Sequence, residues 1–318
     1  MKKKALVIIL TVIAFAGASA QNDPVSSQYM FNHMLYNPGS AGSSGRICAT
    51  AMNRQQWVGF EGAPSSTVFH VNAAIRPFNI RSGIGLTIIS DQTGFDSDNS
   101  LLLTYSYITS IGNGNLGIGI NAGILNKSID PTWNIPSGDI FVPPSGDPLI
   151  PDGKESHLTY DMSFGLFYSA LDYYAGLSVT HLTEPKIKYA TATPYVARQY
   201  YATAGYTVRL PNPNFELLPS AFVYSDGKLF QLTLNTTVRY NKKVWGGVSY
   251  RAGDALTGLI GIELYNGIRI GYSYDFPMND IRKSTSGSHE FMVNYCFDLS
   301  LGRSSKPVSY THLTLPTN

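Results

Sequence analysis

Residues 115–126 read Asn-Leu-Gly-Ile-Gly-Ile-Asn-Ala-Gly-Ile-Leu-Asn, so that Leu116, Ile118, Ile120, Ala122 and Ile124 alternate with Gly117, Gly119, Asn121 and Gly123. A period of two is the signature of a strand, because successive side chains leave a pleated backbone on opposite sides. One side of this strand is continuously apolar and the other is nearly bare. The same pattern recurs near the end of the chain, where Phe291, Val293, Tyr295, Phe297 and Leu299 alternate with Glu290, Met292, Asn294, Cys296 and Asp298. A charge turned towards lipid at the bilayer midplane costs about 2–4 kcal/mol for Arg or Lys, so charged members of such strands belong inside a lumen.

Working outward, fourteen runs of this kind occupy 45–54, 65–75, 82–91, 99–111, 115–126, 158–169, 172–181, 199–209, 215–225, 229–240, 243–251, 256–265, 268–276 and 289–299. The predicted fold is an all-β, up-and-down antiparallel transmembrane barrel of about 14 strands. Loop length tests the reading independently, since outer-membrane barrels keep short turns on the periplasmic side and longer loops outside. With the first strand ascending, Arg76–Arg81, Gly112–Gly114, Ala170–Leu171, Leu210–Asn214, Asn241–Lys242 and Asn266–Gly267 are periplasmic, and all are short. Gln55–Pro64, Gln92–Asp98, Lys127–His157, Leu182–Arg198 and Pro277–Ser288 are external and mostly longer, with Ser225–Lys228 the one short exception. A secreted β-sandwich or adhesin, the alternative fold, has no reason to alternate loop length by parity. Parity also turns Arg209, Arg239, Arg251, Glu263, Arg269 and Asp275 inward. Tyr105, Tyr107, Tyr168, Tyr173, Tyr272 and Tyr274 suit the interfacial aromatic belts.

Composition agrees. In 318 residues, 43% are hydrophobic and only 14% charged, with Tyr 21, Phe 15 and Gly 30. Lys2–Lys4 followed by the apolar run Ala5–Gly17 and Ala18-Ser19-Ala20 reads as a secretory signal peptide, residues 1–20. Removing its three lysines leaves 20 basic against 21 acidic residues, a net of about −1 from the +2 of the full chain, which gives no reason to expect nucleic acid. Residues 301–318 form a tail, of which 311–318 resemble translated adapter sequence and are excluded from fold reasoning.

Between the leader and the first strand, Asp23–Pro64 concentrates aromatics among Asn, Pro and Gly: Gln28-Tyr29-Met30-Phe31-Asn32, then Tyr36-Asn37-Pro38-Gly39-Ser40-Ala41-Gly42-Ser43. Pro38 and the glycines forbid a long helix, so residues 21–44 are predicted to be an aromatic-anchored coil with at most one helical turn. An exposed tail with this many large apolar groups is unfavourable; Tyr29, Phe31 and Tyr36 are therefore expected to anchor it in the lumen or at the periplasmic mouth. Trp57-Val58-Gly59-Phe60 is expected to fold inward or to form a partner site, with Trp57 and Phe60 the candidate contacts.

These motifs, with Arg54-Gln55-Gln56-Trp57-Val58-Gly59-Phe60-Glu61-Gly62-Ala63-Pro64 and Ser273-Tyr274-Asp275-Phe276-Pro277 continuing to Phe297, resemble the PorP/SprF family of outer-membrane proteins associated with type IX secretion. His33-Met34 and Gly39-Ser40 depart from the variants expected there. The resemblance implies a non-enzymatic component of secretion or gliding in the outer membrane, assisting secretion or surface attachment of cargo and partnering periplasmic ring components. The alternative is a passive diffusion porin.

A search for chemistry finds no G-x-S-x-G, H-E-x-x-H or C-x-x-C, and the histidines are scattered; neither enzyme activity, cofactor nor metal is expected. Asp91, Asp96 and Asp98 offer calcium ligands in an external loop, with a solvated acidic loop the favoured reading. Lys127–His157, rich in Pro, reads as a cap, a fold-in constriction or disorder. Closure follows from depth and parity. Cys48 and Cys296 both face the lumen near the periplasmic end, and pairing them sets Arg54 opposite Glu290, because 48 + 296 equals 54 + 290. The compartment is oxidising, so a disulfide is chemically possible, although directly paired residues are often poorly placed for one.

Overall fold

The alternating runs form one closed antiparallel wall in the computed structural model, which describes residues 23–131, 153–190, 192–264 and 267–298. Its strands are β1 (Ile47–Gln55), β2 (Ser65–Ile75), β3 (Ser82–Thr93), β4 (Asp96–Ile111), β5 (Gly114–Ile129), β6 (Glu155–Ser169), β7 (Tyr173–Thr180), β8 (Gln199–Tyr206), β9 (Val208–Arg209), β10 (Phe215–Ser225), β11 (Phe230–Tyr240), β12 (Val244–Arg251), β13 (Ala255–Glu263), β14 (Ile268–Pro277) and β15 (Ser288–Phe297). Both β8 and β9 pair with β10 in one register, interrupted at Tyr206 and Thr207, so they make a single wall strand and the barrel has fourteen. Each strand pairs with its sequence neighbour, and β1 pairs with β15 to close the sheet. Among the described residues no helix is long and apolar enough to cross a membrane; the strands do so.

The outward face of β5 is apolar, with Ile118 and Ile120 exposed, while Asn121 is buried within. Tyr105, Tyr107 and Tyr173 are exposed on the outer surface as an interfacial belt requires.

Several external connections differ from the expectation. Gln92–Asp98 is no loop: β3 runs to Thr93 and β4 starts at Asp96, leaving a tight hairpin at Gly94-Phe95, where Gly94 takes φ +60°. Pairing of Asp91 with Asp98, relieved by Lys127 on Asp98 and Ser66 on Asp91, keeps the ladder intact to its tip. Residues 252–254 are also a short external turn, so Ser225–Lys228 is one of three. The Lys127–His157 insertion begins later and ends sooner than expected, because Lys127–Ile129 extend β5 and Glu155–His157 start β6. Its central part, 132–152, lies outside the described residues, as do the leader and the tail.

Candidate functional site: a lumen filled by the N-terminal segment

Residues 23–44 run through the barrel from its external to its periplasmic end. Not one helical turn but three form there: 3-10 turns at Tyr29–Phe31 and Pro38–Ser40 flank a single α-turn at His33–Tyr36. Pro38 stops the α-turn and starts the next one, because its fixed φ suits a first helical position. The Asn37 side chain accepts from Gly39 N–H at 2.9 Å.

Asn37 also holds the wall. Its Nδ2 donates to the carbonyl oxygens of Leu166 at 2.9 Å and Leu177 at 3.3 Å, across the β6–β7 seam. That approach requires a bare wall, which explains the glycine face of β5: a Cβ on Gly117 would stand 2.0 Å from Gly39 O, and one on Gly119 2.3 Å from the Pro38 carbonyl carbon. Nearby, Ser106 Oγ donates to Gly39 O at 3.2 Å and Ser178 Oγ to Tyr36 O at 2.8 Å.

The aromatic residues pack as a cluster. Tyr29 stacks on Phe222 at 5.0 Å and hydrogen-bonds Ser220 Oγ at 2.9 Å; Tyr36 meets Phe222 at 4.8 Å and Tyr201 at 5.3 Å. Phe31 tilts on Trp245 at 5.1 Å, and His33 lies against Phe167 and Tyr174. Asn32 Oδ1 stands 2.5 Å from His70 Nε2. Below this layer, two cavities of about 320 and 220 Å³ open between the segment and the wall, bordered by Phe31, His33 and Arg269.

At the external end the segment enters a buried ionic network. Glu290, with no exposed surface, accepts from Ser26 Oγ at 2.7 Å, Ser27 N–H at 2.8 Å, Gln28 N–H at 3.0 Å and Arg54 Nη1 at 3.2 Å. Asp275 accepts from Arg54 Nη2 at 2.6 Å, Ser27 Oγ at 2.8 Å and Thr257 Oγ1 at 2.8 Å. Ser27 Oγ in turn accepts from Arg54 Nη1 at 2.9 Å and Arg251 Nη2 at 3.0 Å. Isolated ions at such depth would be prohibitive; ion pairing and dense hydrogen bonding, which leave Arg54 Nε, Arg251 Nε and Gln28 Oε1 unpartnered, make them tolerable.

A second contact ties down Asp23. Its Oδ1 stands 2.8 Å from His181 Nε2, and its Oδ2 accepts from Tyr201 at 2.9 Å and Thr180 at 3.2 Å; Asp161 Oδ2 lies 2.7 Å from His181 Nδ1. Burial opposes charge on His181, but the two carboxylates outweigh it and the imidazole is pushed up to about 10.

The other inward-turned charges pair at the periplasmic rim: Arg239 with Glu216 at 2.6 Å, Arg269 with Glu263 at 2.7 Å and Arg209 with Asp172. Cys48 and Cys296 face each other in the closing register and form a disulfide with Cα atoms 4.1 Å apart, and Arg54 faces Glu290 in the same register. Trp57 is half-buried, and its loop is tied to the start of β15 and the turn before it: the Trp57 backbone N–H donates to Ser288 Oγ at 3.1 Å, and Val58 exchanges backbone bonds with Ser286 and Gly287. Phe60 stays exposed. Among the described residues no group of His, Cys, Asp and Glu is arranged to hold a metal ion.

Sequence reasoning did not find Ser26, Ser27 and Gln28, nor the Asp23–His181–Asp161 contact. A signal for the first was present: Arg54, Glu290, Asp275 and Arg251 all point inward within two residues of an external strand end.

Likeness to solved barrels is low. The CymD monoaromatic hydrocarbon channel is 11% identical with a TM-score of 0.46, over 90% of this chain and 97% of that one. An Acinetobacter baumannii outer-membrane protein, Omp33, is 7% identical with a TM-score of 0.46 over 79% and 98%. A Pseudomonas aeruginosa FadL homologue is 12% identical with a TM-score of 0.44 over 79% and 89%. No curated protein matches the sequence. One family does, described as the type IX secretion system membrane protein PorP/SprF, and it matches residues 18–295. This outer-membrane barrel therefore belongs to the PorP/SprF family of type IX secretion system membrane proteins.

Proposed function

We propose that this chain is a non-enzymatic component of type IX protein secretion or gliding that assists export or surface attachment of cargo, with periplasmic ring components as partners and its barrel acting as a plugged platform rather than a channel. The observation that carries the reading is the filled lumen. A segment anchored through Tyr29, Phe31 and Tyr36 in aromatic contacts, and through Ser26–Gln28 in buried ionic ones, occupies the lumen that a diffusion porin would keep open. Membership of the family supplies the secretion context. Two measurements test it. Single-channel conductance in planar bilayers should be low for the native protein and rise when residues 22–43 are deleted; high native conductance refutes the plug. Purification from native outer membrane followed by mass spectrometry should recover secretion-machinery subunits; recovery of general porins alone refutes the secretion role.

A further inference from the structure

The turn between β2 and β3 carries two unfavourable features with no return inside the molecule. Phe78 is 97% exposed, more than any other large apolar residue described. It also sits at φ 50°, ψ 32°, followed by Asn79 at φ 68°, in a turn closed by Ile80 N–H on Pro77 O at 2.9 Å. Paired left-handed residues of this kind suit Asn and Gly, and a Phe at the first of them is strained. Solvent exposure of the ring adds a second penalty.

Position separates protein from lipid as the source of compensation. Ser82 lies opposite Tyr107 and bonds the Tyr105 hydroxyl at 3.0 Å, and those exposed tyrosines suit an interfacial belt on this side of the barrel, with Ile80 and Ile111 exposed at its periplasmic edge. Pro77–Asn79 lie beyond that belt, on the periplasmic side. Charge then defines the partner. Asp172, Glu216 and Glu263 at this end are each already bound to an arginine. Arg76 and Arg81, on either side of the turn, have no carboxylate at salt-bridge distance among the described residues; Arg81 is held by the neutral Ser110 and Asn115.

We propose that Phe78 is a docking knob for an acidic periplasmic protein, which receives the ring in an apolar pocket and places carboxylates against Arg76 and Arg81. The proposal rests on the secretion reading above and adds the point of contact. Phe78→Asn relieves the backbone and removes the ring, so the barrel should fold with unchanged heat-modifiability while recovery of the periplasmic partner from native envelopes falls at least tenfold. A photo-crosslinking phenylalanine at 78 should give a protein adduct that weakens with Arg76→Glu and with added salt, and the same probe at Phe95, on the external hairpin, should not. Adducts to lipid alone make the turn a membrane anchor and overturn the proposal. Secretion subunits recovered equally with the native chain and Phe78→Asn overturn the knob while leaving the secretion reading intact. A native chain that recovers none overturns both.

Discussion

Glu290→Gln is the most direct probe of the latch between segment and wall, because the two side chains have the same shape and differ in charge and in one set of lone pairs. Glu290 Oε2 faces two donors that cannot reverse, Ser27 N–H and an Arg54 N–H, whereas Oε1 faces Ser26 Oγ, which can turn its proton away, and Gln28 N–H, which cannot. The glutamine amide nitrogen is therefore forced to the Oε1 side, where Gln28 N–H keeps only its bond to Ser26 Oγ at 3.1 Å and the Ser26 hydroxyl proton loses its acceptor. An orphaned buried donor costs about 1–3 kcal/mol. In addition Arg54 keeps one carboxylate, Asp275, instead of two, and breaking a buried ion pair costs about 3–5 kcal/mol. Arg54 and Glu290 both belong to the wall, so that pair is lost whether the segment is seated or not; the lost segment contacts alone, at roughly 3 kcal/mol and about 1.4 kcal/mol per decade, should raise the population with residues 26–28 detached by about two orders of magnitude. Amide hydrogen exchange should show it at Ser27 and Gln28. Gly39, held by backbone packing on Gly117 and not by ions, should stay protected. Brief conductance events should appear in planar bilayers. Unchanged exchange at Ser27 and Gln28 would refute the claim that Glu290 holds the segment.

Gly117→Ala places a methyl 2.0 Å from Gly39 O, so it should destabilise the seated Pro38–Ser40 turn by about 1–3 kcal/mol and raise conductance; Gly258→Ala, with nothing within 4 Å, is the neutral control in the same assays. Replacing Cys48 and Cys296 by Ser should lower thermal stability, with an upper bound of about 5 kcal/mol from chain entropy for a bond spanning 248 residues; reductant should reproduce the shift on the native barrel and leave the double variant unchanged. His181 supplies a pH test: with its folded value raised to about 10 from about 6.5 when unfolded, its contribution is complete below pH 6.5 and disappears as pH rises through 10. The stability gap between the native chain and His181→Gln should therefore shrink from pH 6 to pH 11, and a constant gap would exclude the ionic contact with Asp23 and Asp161.

The wall was legible because each of its strands had to solve the same two-sided problem. Lipid outside and a packed or polar lumen inside impose a period of two on every strand, and that survives at the single-sequence level even where individual runs are short. Register at the closure was legible for the same reason: two cysteines and an Arg/Glu pair at matching depths leave one alignment that satisfies both. Hairpin ends were harder. Asp91, Asp96 and Asp98 look like loop residues, since like charges across a ladder repel, and nothing local announces that Lys127, 29 residues away in sequence, lies beside Asp98 to offset that repulsion.

The luminal segment was legible in its anchors and not in its latch. Tyr29, Phe31 and Tyr36 are too apolar to stay in water, so burial of some kind follows from their chemistry alone. Ser26, Ser27 and Gln28 are ordinary polar residues whose importance comes from where the barrel puts Glu290 and Asp275. The inward charges themselves had two readings, as the lining of a wet pore or as the buried half of an internal contact, and parity assigns a face without saying what fills it. Depth offers the missing discrimination. Arg54, Arg251, Asp275 and Glu290 converge from β1, β12, β14 and β15 at one level near the external rim, and they are 1%, 6%, 2% and 0% exposed. Charges lining a water-filled bore would retain exposed surface; at these values each must be bonded to something inside the barrel, and the only chain there among the described residues is the Asp23–Ser44 segment.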